Sequence, residues 1–183
     1  MKRKRGNADR AQKEAGAQST LMVVIETPRA SRNKYKLNPE TSRFMLSKVL
    51  PEGMMFPYDF GFVPETRAED GDPLDVLVLT DEATFPGCEL AVRPIGVIKS
   101  LHTEKGKTRH NDRVIAVAEQ SVRYHDIRDI SDIEPAVIGQ IEQFFVNYQR
   151  VRNIEYRVTG REGAKSALRT IAKSRQASRE SAA

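Results

Sequence analysis

Three aspartates stand within six residues in Asp70-Gly71-Asp72-Pro73-Leu74-Asp75, directly before and inside the apolar run Val76-Leu77-Val78-Leu79. Gly71 and Pro73 favour a bend between the acids. The run after them has the β-branched and leucine content of a buried strand. Carboxylates gathered at the mouth of a hydrophobic strand repel one another, and each loses hydration. A bound cation relieves both penalties, and hard oxygen donors suit Mg²⁺ or Mn²⁺. The plain alternative is a solvated acidic turn, since Asp, Gly and Pro are ordinary turn residues.

The rest of the chain must position these acids. At 183 residues, 39% of them hydrophobic, it suits one domain with a real core. No apolar run approaches the ~20 residues needed to span a bilayer. The start MKRKR is not followed by a hydrophobic segment before Leu21, so a cytoplasmic protein is expected. The single cysteine, Cys88, permits no internal disulfide. The net charge of +5 is unevenly spread: residues 1–20 and 161–183 each carry +4, which leaves −3 on residues 21–160. Basicity therefore lives in the two ends, which argues against a nucleic-acid face on the core except through those ends.

Residues 1–20 lack large apolar residues after Met1 and read as a disordered basic tail. Strands are expected at Leu21–Thr27, Asn33–Leu37, Val76–Leu79, Glu89–Ile98 (bent at Pro94 and Gly96), Arg113–Ala118 and Glu155–Thr159. The aromatic stretch Met54 to Pro64, broken by Pro57 and Gly61, reads as an irregular strand lining a pocket. Residues 100–112 read as a loop or a hairpin tip. Ser131 or Asp132 caps a helix that starts at Pro135 and carries Val137, Ile138, Ile141, Phe144, Phe145, Tyr148 and Val151 at helical spacing. A second helix runs from Ala164 to about Lys173, with a single domain over 21–175 and a disordered tail over 176–183. The fold class is α+β, with a small closed sheet as the natural way to hide strand edges.

Taken in order, Val23-Val24-Ile25-Glu26, Lys34-Tyr35, Phe56-Pro57-Tyr58-Asp59-Phe60-Gly61-Phe62-Val63-Pro64, Asp70 to Asp75, Arg93-Pro94-Ile95-Gly96-Val97 and Phe144-Phe145-Val146-Asn147-Tyr148 resemble the soluble inorganic pyrophosphatases. The resemblance covers roughly residues 22–160, and the DGDPLD segment is its most specific part. It implies an OB-like five-stranded closed β-barrel with two packed α-helices, often assembled as a homo-oligomer. It also implies hydrolysis of pyrophosphate with several Mg²⁺ ions, Mn²⁺ being a possible substitute. By the same resemblance Asp70 and Asp75 are metal ligands, and Asp72 is both a ligand and the acceptor of the attacking water's proton. Glu26, Lys34 and Tyr148 match substrate-binding positions.

Several positions depart from the family pattern. Lys36 stands where an acid is usual, Lys48 replaces an arginine, Phe60 a tyrosine and Gln149 a lysine. The loop over 100–113 is about four residues longer than the common pattern. There Arg113 takes the place of a lysine and Asn111 that of an aspartate. The neighbouring Asp112 serves as a metal ligand if the strand is bulged. His102 and Glu104 are candidates for a further missing acid. The expectation is a divergent pyrophosphatase that uses Asp72, with Glu26, Lys34, Lys48, Arg113 and Tyr148 on substrate and Asp70, Asp72, Asp75 and Asp112 on metal. The alternatives are a metal-dependent hydrolase of another small phosphoanhydride and, less favoured, an OB-like nucleic-acid module.

Overall fold

The computed structural model describes residues 20–182. All of the expected basic tail except Thr20 lies outside the described residues. Strand β1 (Leu21–Thr27) alternates buried Leu21, Val23 and Ile25 with exposed Met22. It pairs antiparallel with β4 (Asp59–Val63) on one side and with the start of β6 (Glu89–Glu104) on the other. β4 pairs with β5 (Leu74–Leu79), β5 runs parallel to β8 (Arg113–Ala118), and β8 pairs back onto β6. The five strands β1, β4, β5, β8 and β6 thus close into an OB-like ring, which leaves no open edge among them.

Closure demands a close approach, and Gly61 supplies it. A Cβ there would lie 1.9 Å from the Val24 carbonyl oxygen. The far half of β6 leaves the ring, where it carries β7 (Lys107–His110) and β9 (Glu155–Gly163). Strands β2 (Asn33–Asn38) and β3 (Arg43–Val49) form a separate two-stranded sheet. The expected loop at 100–112 is therefore a hairpin, turned by Lys105 and Gly106 at φ 50° and 76°. Positive φ at both central residues is the twist-matched geometry for a two-residue turn.

Helix α1 spans Pro135–Arg150 and buries Ile138, Ile141, Phe145 and Tyr148. Its N-terminus corrects the expected cap. Ser131 and Asp132 belong to a preceding 3₁₀ turn, Ile130–Asp132, which Asp129 caps. Asp129 also accepts the Ala164 amide at 2.8 Å, tying that turn to the start of helix α2 (Ala164–Ala182). These amide donors hold the Asp129 carboxyl below its ordinary pKa despite partial burial. α2 does not stop near Lys173, so residues 176–182 are helical and not a disordered tail. Ser174 is buried and its carbonyl accepts the Arg67 amide at 2.9 Å, while Gln176 and Glu180 pair one turn apart at 2.8 Å. Anchorage and pairing carry a segment whose composition alone reads as unstructured.

β5 is buried on both faces. Leu77 and Leu79 pack with Phe60, Ile115 and the α1 residues Ile141 and Phe145, whereas Val76 and Val78 pack with Val23, Val114 and the α2 residues Ala167 and Ile171. The strand that begins at Asp75 is therefore held from two sides. Among the described residues, no helix is long and apolar enough to cross a membrane.

Candidate active site

The three aspartates sit on a turn that the backbone itself shapes. The Ala68 amide donates to the Asp72 carbonyl at 2.8 Å and the Gly71 amide to Ala68 at 3.1 Å, with Gly71 at φ 94°. The Asp72 amide donates to Asp70 Oδ1 at 3.2 Å. Buried Thr66 pins the exit, accepting the Leu74 amide at 2.9 Å and donating to the Val63 carbonyl. Asp70 and Asp72 are thereby presented on an exposed turn, and Asp75 is half-buried on β5 opposite Phe62.

All three line a cavity of about 500 Å³. Its floor is aromatic, from Phe56 and Phe60 beside β4 and from Phe145 and Tyr148 on α1. The Lys34 ammonium lies 4.6 Å from the centre of the Phe60 ring and 5.8 Å from that of Tyr148. Arg113, at the start of β8, is 3% exposed. Its guanidinium stacks 4.2 Å from the Phe145 ring centre, donates to the Tyr156 hydroxyl and the Asn111 carbonyl, and lies 3.5 Å from Asp75. The β6–β7 hairpin forms the remaining wall with His102, Glu104, Lys107 and Arg109, and Arg152 stands just beyond α1.

The carboxylates feel one another. Burial and then the charge of Asp75 push the Asp70 carboxyl above its ordinary pKa. Asn111 donates to Asp70 at 3.3 Å and meets His102 Nδ1 at 3.4 Å. Burial, together with Arg152 and Arg113, lowers the His102 pKa against the opposing pull of Glu104, so the imidazole is neutral at pH 7. Lys36 grips both oxygens of Asp72, at 3.0 and 2.9 Å. Burial opposes that ammonium, but Asp72 outweighs it and the Lys36 pKa rises.

Among the described residues, no three acidic, histidine or cysteine side chains converge into a ready-made cage. The donors nonetheless fit a hard cation. They are carboxylate oxygens, and the repulsion that raises the Asp70 pKa is what a cation between Asp70 and Asp75 removes. The same wall carries binding capacity not yet used: His102 Nε2 and Arg113 Nε are buried without a hydrogen-bond partner.

Comparison with known proteins decides the family. Residues 23–179 match the family described as inorganic pyrophosphatase. The chain belongs to the inorganic pyrophosphatase family. It is 39% identical over 139 residues to the inorganic pyrophosphatase of a Nostoc species, covering 76% of this chain and 78% of that one. The Thermus thermophilus enzyme is 37% identical over 158 residues, covering 85% of this chain and 88% of its own. A crystal structure of the Thermus thermophilus protein superposes with a TM-score of 0.80 at 33% identity, over 90% of this chain and 94% of that one. The Helicobacter pylori inorganic pyrophosphatase gives 0.82 at 30%, over 88% and 95%. Membership of this family carries a requirement for a divalent metal ion.

Within this inorganic pyrophosphatase fold the expected residues divide. Lys34, Asp70, Asp72, Asp75, Arg113 and Tyr148 line one cavity. Glu26 lies behind them, in a neighbouring hollow that shares Lys34, Asp72 and Asp75 with the first. It is 8% exposed, and burial raises its pKa even though it accepts the Leu37 amide at 2.9 Å. Lys48 is set apart, in a hollow with Leu50, Tyr148 and Arg152. Burial, then the charges of Arg152 and Lys34, lower its pKa.

Asp112 is a correction. It faces away from the cavity, binding Lys99 at 2.6 Å and the Ser100 amide at 3.2 Å beside α2. Successive residues entering a strand point to opposite faces, so Asn111 takes the cavity side and Asp112 the other. The cavity residues that sequence reasoning missed are Lys105, Lys107, Arg109 and Arg152. The signal for Arg152 was its place four residues after Tyr148, and its guanidinium does lie 5.6 Å from the Tyr148 ring centre.

Proposed function

We propose that this protein hydrolyses inorganic pyrophosphate to two phosphates, with Mg²⁺ as its ion and Mn²⁺ as a substitute. The observation that carries the reading is one cavity in which Asp70, Asp72 and Asp75 face Lys34, Arg113 and Tyr148. Pyrophosphate is a dense anion, and its hydrolysis is chiefly a matter of neutralising charge and placing a water. The divalent ion supplies charge neutralisation and makes water acidic enough to attack at neutral pH. Asp70 and Asp75 hold it.

Asp72, exposed on its turn, takes the proton of the attacking water once Lys36 releases it. Arg113 is fixed by stacking and by Tyr156, so its charge is preorganised toward a phosphoryl group and needs no rearrangement during reaction. Lys34 and Tyr148 contact the second phosphate, Glu26 tunes the field from behind, and Lys48 adds positive potential at longer range. Homo-oligomerisation is part of the reading, supported by exposed Met45, Leu46 and Val49 side by side on β3.

Phosphate release from pyrophosphate, with and without Mg²⁺, tests the proposal. Turnover requires the ion, and Asp72→Asn lowers kcat by about 10²–10⁴-fold, the range for loss of a positioned base. Folded protein that releases no phosphate with either Mg²⁺ or Mn²⁺ overturns it.

A further inference from the structure

We propose that the β6–β7 hairpin extends the site to a linear triphosphate chain, which the protein hydrolyses alongside pyrophosphate. The inference deepens the function proposed above and rests on it. Across the hairpin His102 is opposite Arg109 and Glu104 is opposite Lys107. Residues paired this way share a face, and all four line the cavity with the aspartates. The Lys107 ammonium and the Arg109 guanidinium make no ion pair or hydrogen bond among the described residues. Lys105, at the tip, lines the same cavity, and Arg152 does so from the end of α1.

Charge and size both exceed what a diphosphate uses. Arg113 and Lys34 already stand beside the aspartates, whereas Lys105, Lys107 and Arg109 form a second cationic group on a separate element. A cavity of about 500 Å³ leaves room beyond two phosphoryl groups. A third phosphoryl group carries the negative charge that such a group pairs with, through charge-assisted hydrogen bonds. The reaction balances as ordinary hydrolysis: water adds to a terminal phosphorus, the P–O bond to the bridging oxygen breaks, and phosphate and pyrophosphate leave. The shared chemistry is the chain of three phosphates, whether free or attached to a nucleoside.

The test compares kcat/KM for pyrophosphate, inorganic tripolyphosphate and ATP in the wild type and in the double variant Lys107→Ala with Arg109→Ala. Both positions are exposed, so the fold is retained, and thermal melting verifies it. The expected result is tripolyphosphate turnover in the wild type that falls about tenfold or more in the variant, the effect of losing one or two charge-assisted hydrogen bonds. Pyrophosphate turnover changes less than about threefold. Binding of the non-turned-over chain, followed by calorimetry without metal, weakens in parallel. ATP turnover that behaves the same way assigns the chain in either source, and its absence restricts the site to the inorganic chain. Wild-type protein active on pyrophosphate but not on tripolyphosphate overturns the inference, as does an equal loss on both substrates, which marks the hairpin charges as general steering. Inactivity on pyrophosphate defeats the underlying function instead.

Discussion

The cavity has two walls of opposite construction. The carboxylate wall stands on β4 and β5, strands at the centre of the ring; Leu77, Val76 and Val78 beneath it are fully buried. The hairpin wall hangs from the far half of β6 beyond the ring, and residues 104 to 110 are exposed throughout. The first wall places acids where a shift of an ångström would disturb the core. The second offers mobile cations whose loss leaves the barrel intact. Chemistry that needs fixed geometry is thus seated in the core, and selection among anions is left to a removable arm.

The sharpest way to break this contrast is a pair of glycine substitutions. Gly61→Ala drives a methyl group into the Val24 carbonyl at 1.9 Å, and unfolding measurements are expected to show a loss of about 3 kcal/mol or more. Gly106→Ala meets nothing within 4 Å and pays only for its left-handed φ of 76°, about 1–2 kcal/mol. Equal losses would show that the walls are not mechanically distinct.

A second pair sharpens the boundary between them. Asn111→Asp puts a new carboxylate beside Asp70, so calorimetry is expected to show divalent-ion affinity higher by about tenfold. Asp112→Asn leaves that affinity unchanged and instead lowers stability by about 1–3 kcal/mol, because it weakens the contacts to Lys99 and Ser100. An affinity change in Asp112→Asn would return that residue to the site.

The smallest effect concerns Glu26 behind the carboxylate wall. Its folded pKa is raised above 4.5 by burial, so the folded state holds the proton more tightly than the unfolded chain. The stability this contributes is present below pH 4.5 and is lost as pH rises through the folded pKa. Glu26→Gln keeps an acceptor for the Leu37 amide and removes that loss. In metal-free protein its melting temperature is expected to exceed the wild type's at pH 7 and to converge with it near pH 4. A constant difference across that range would show that ionisation of Glu26 is not the cause.

Local pattern sufficed for most of the elements, because their signals are local. Leu21–Thr27 and Arg113–Ala118 form strands with the bounds expected of them, and the apolar spacing from Val137 to Tyr148 is a helix. The family, the three-aspartate turn and the aromatic pocket strand were also legible, since each lies in a short contiguous segment. The second helix was read too short. Its last turns are secured by contacts to Arg67 and by Asp129 at its start, residues far away in the chain.

What the amino-acid sequence determined by itself was the set of acids on a Gly-Pro turn, the strand behind them and the α1 stripe, all governed by the chain's own periodicity and turn chemistry. Only the tertiary structure decided that Asn111 and not Asp112 meets Asp70, that Lys48 stands aside, that Lys36 grips Asp72, and that Lys107 and Arg109 look across at the aspartates. Each of these depends on which face of a strand a residue takes or on which strand lies opposite. Ring closure and the β6–β7 pairing set both, through hydrogen bonds between segments distant in the chain.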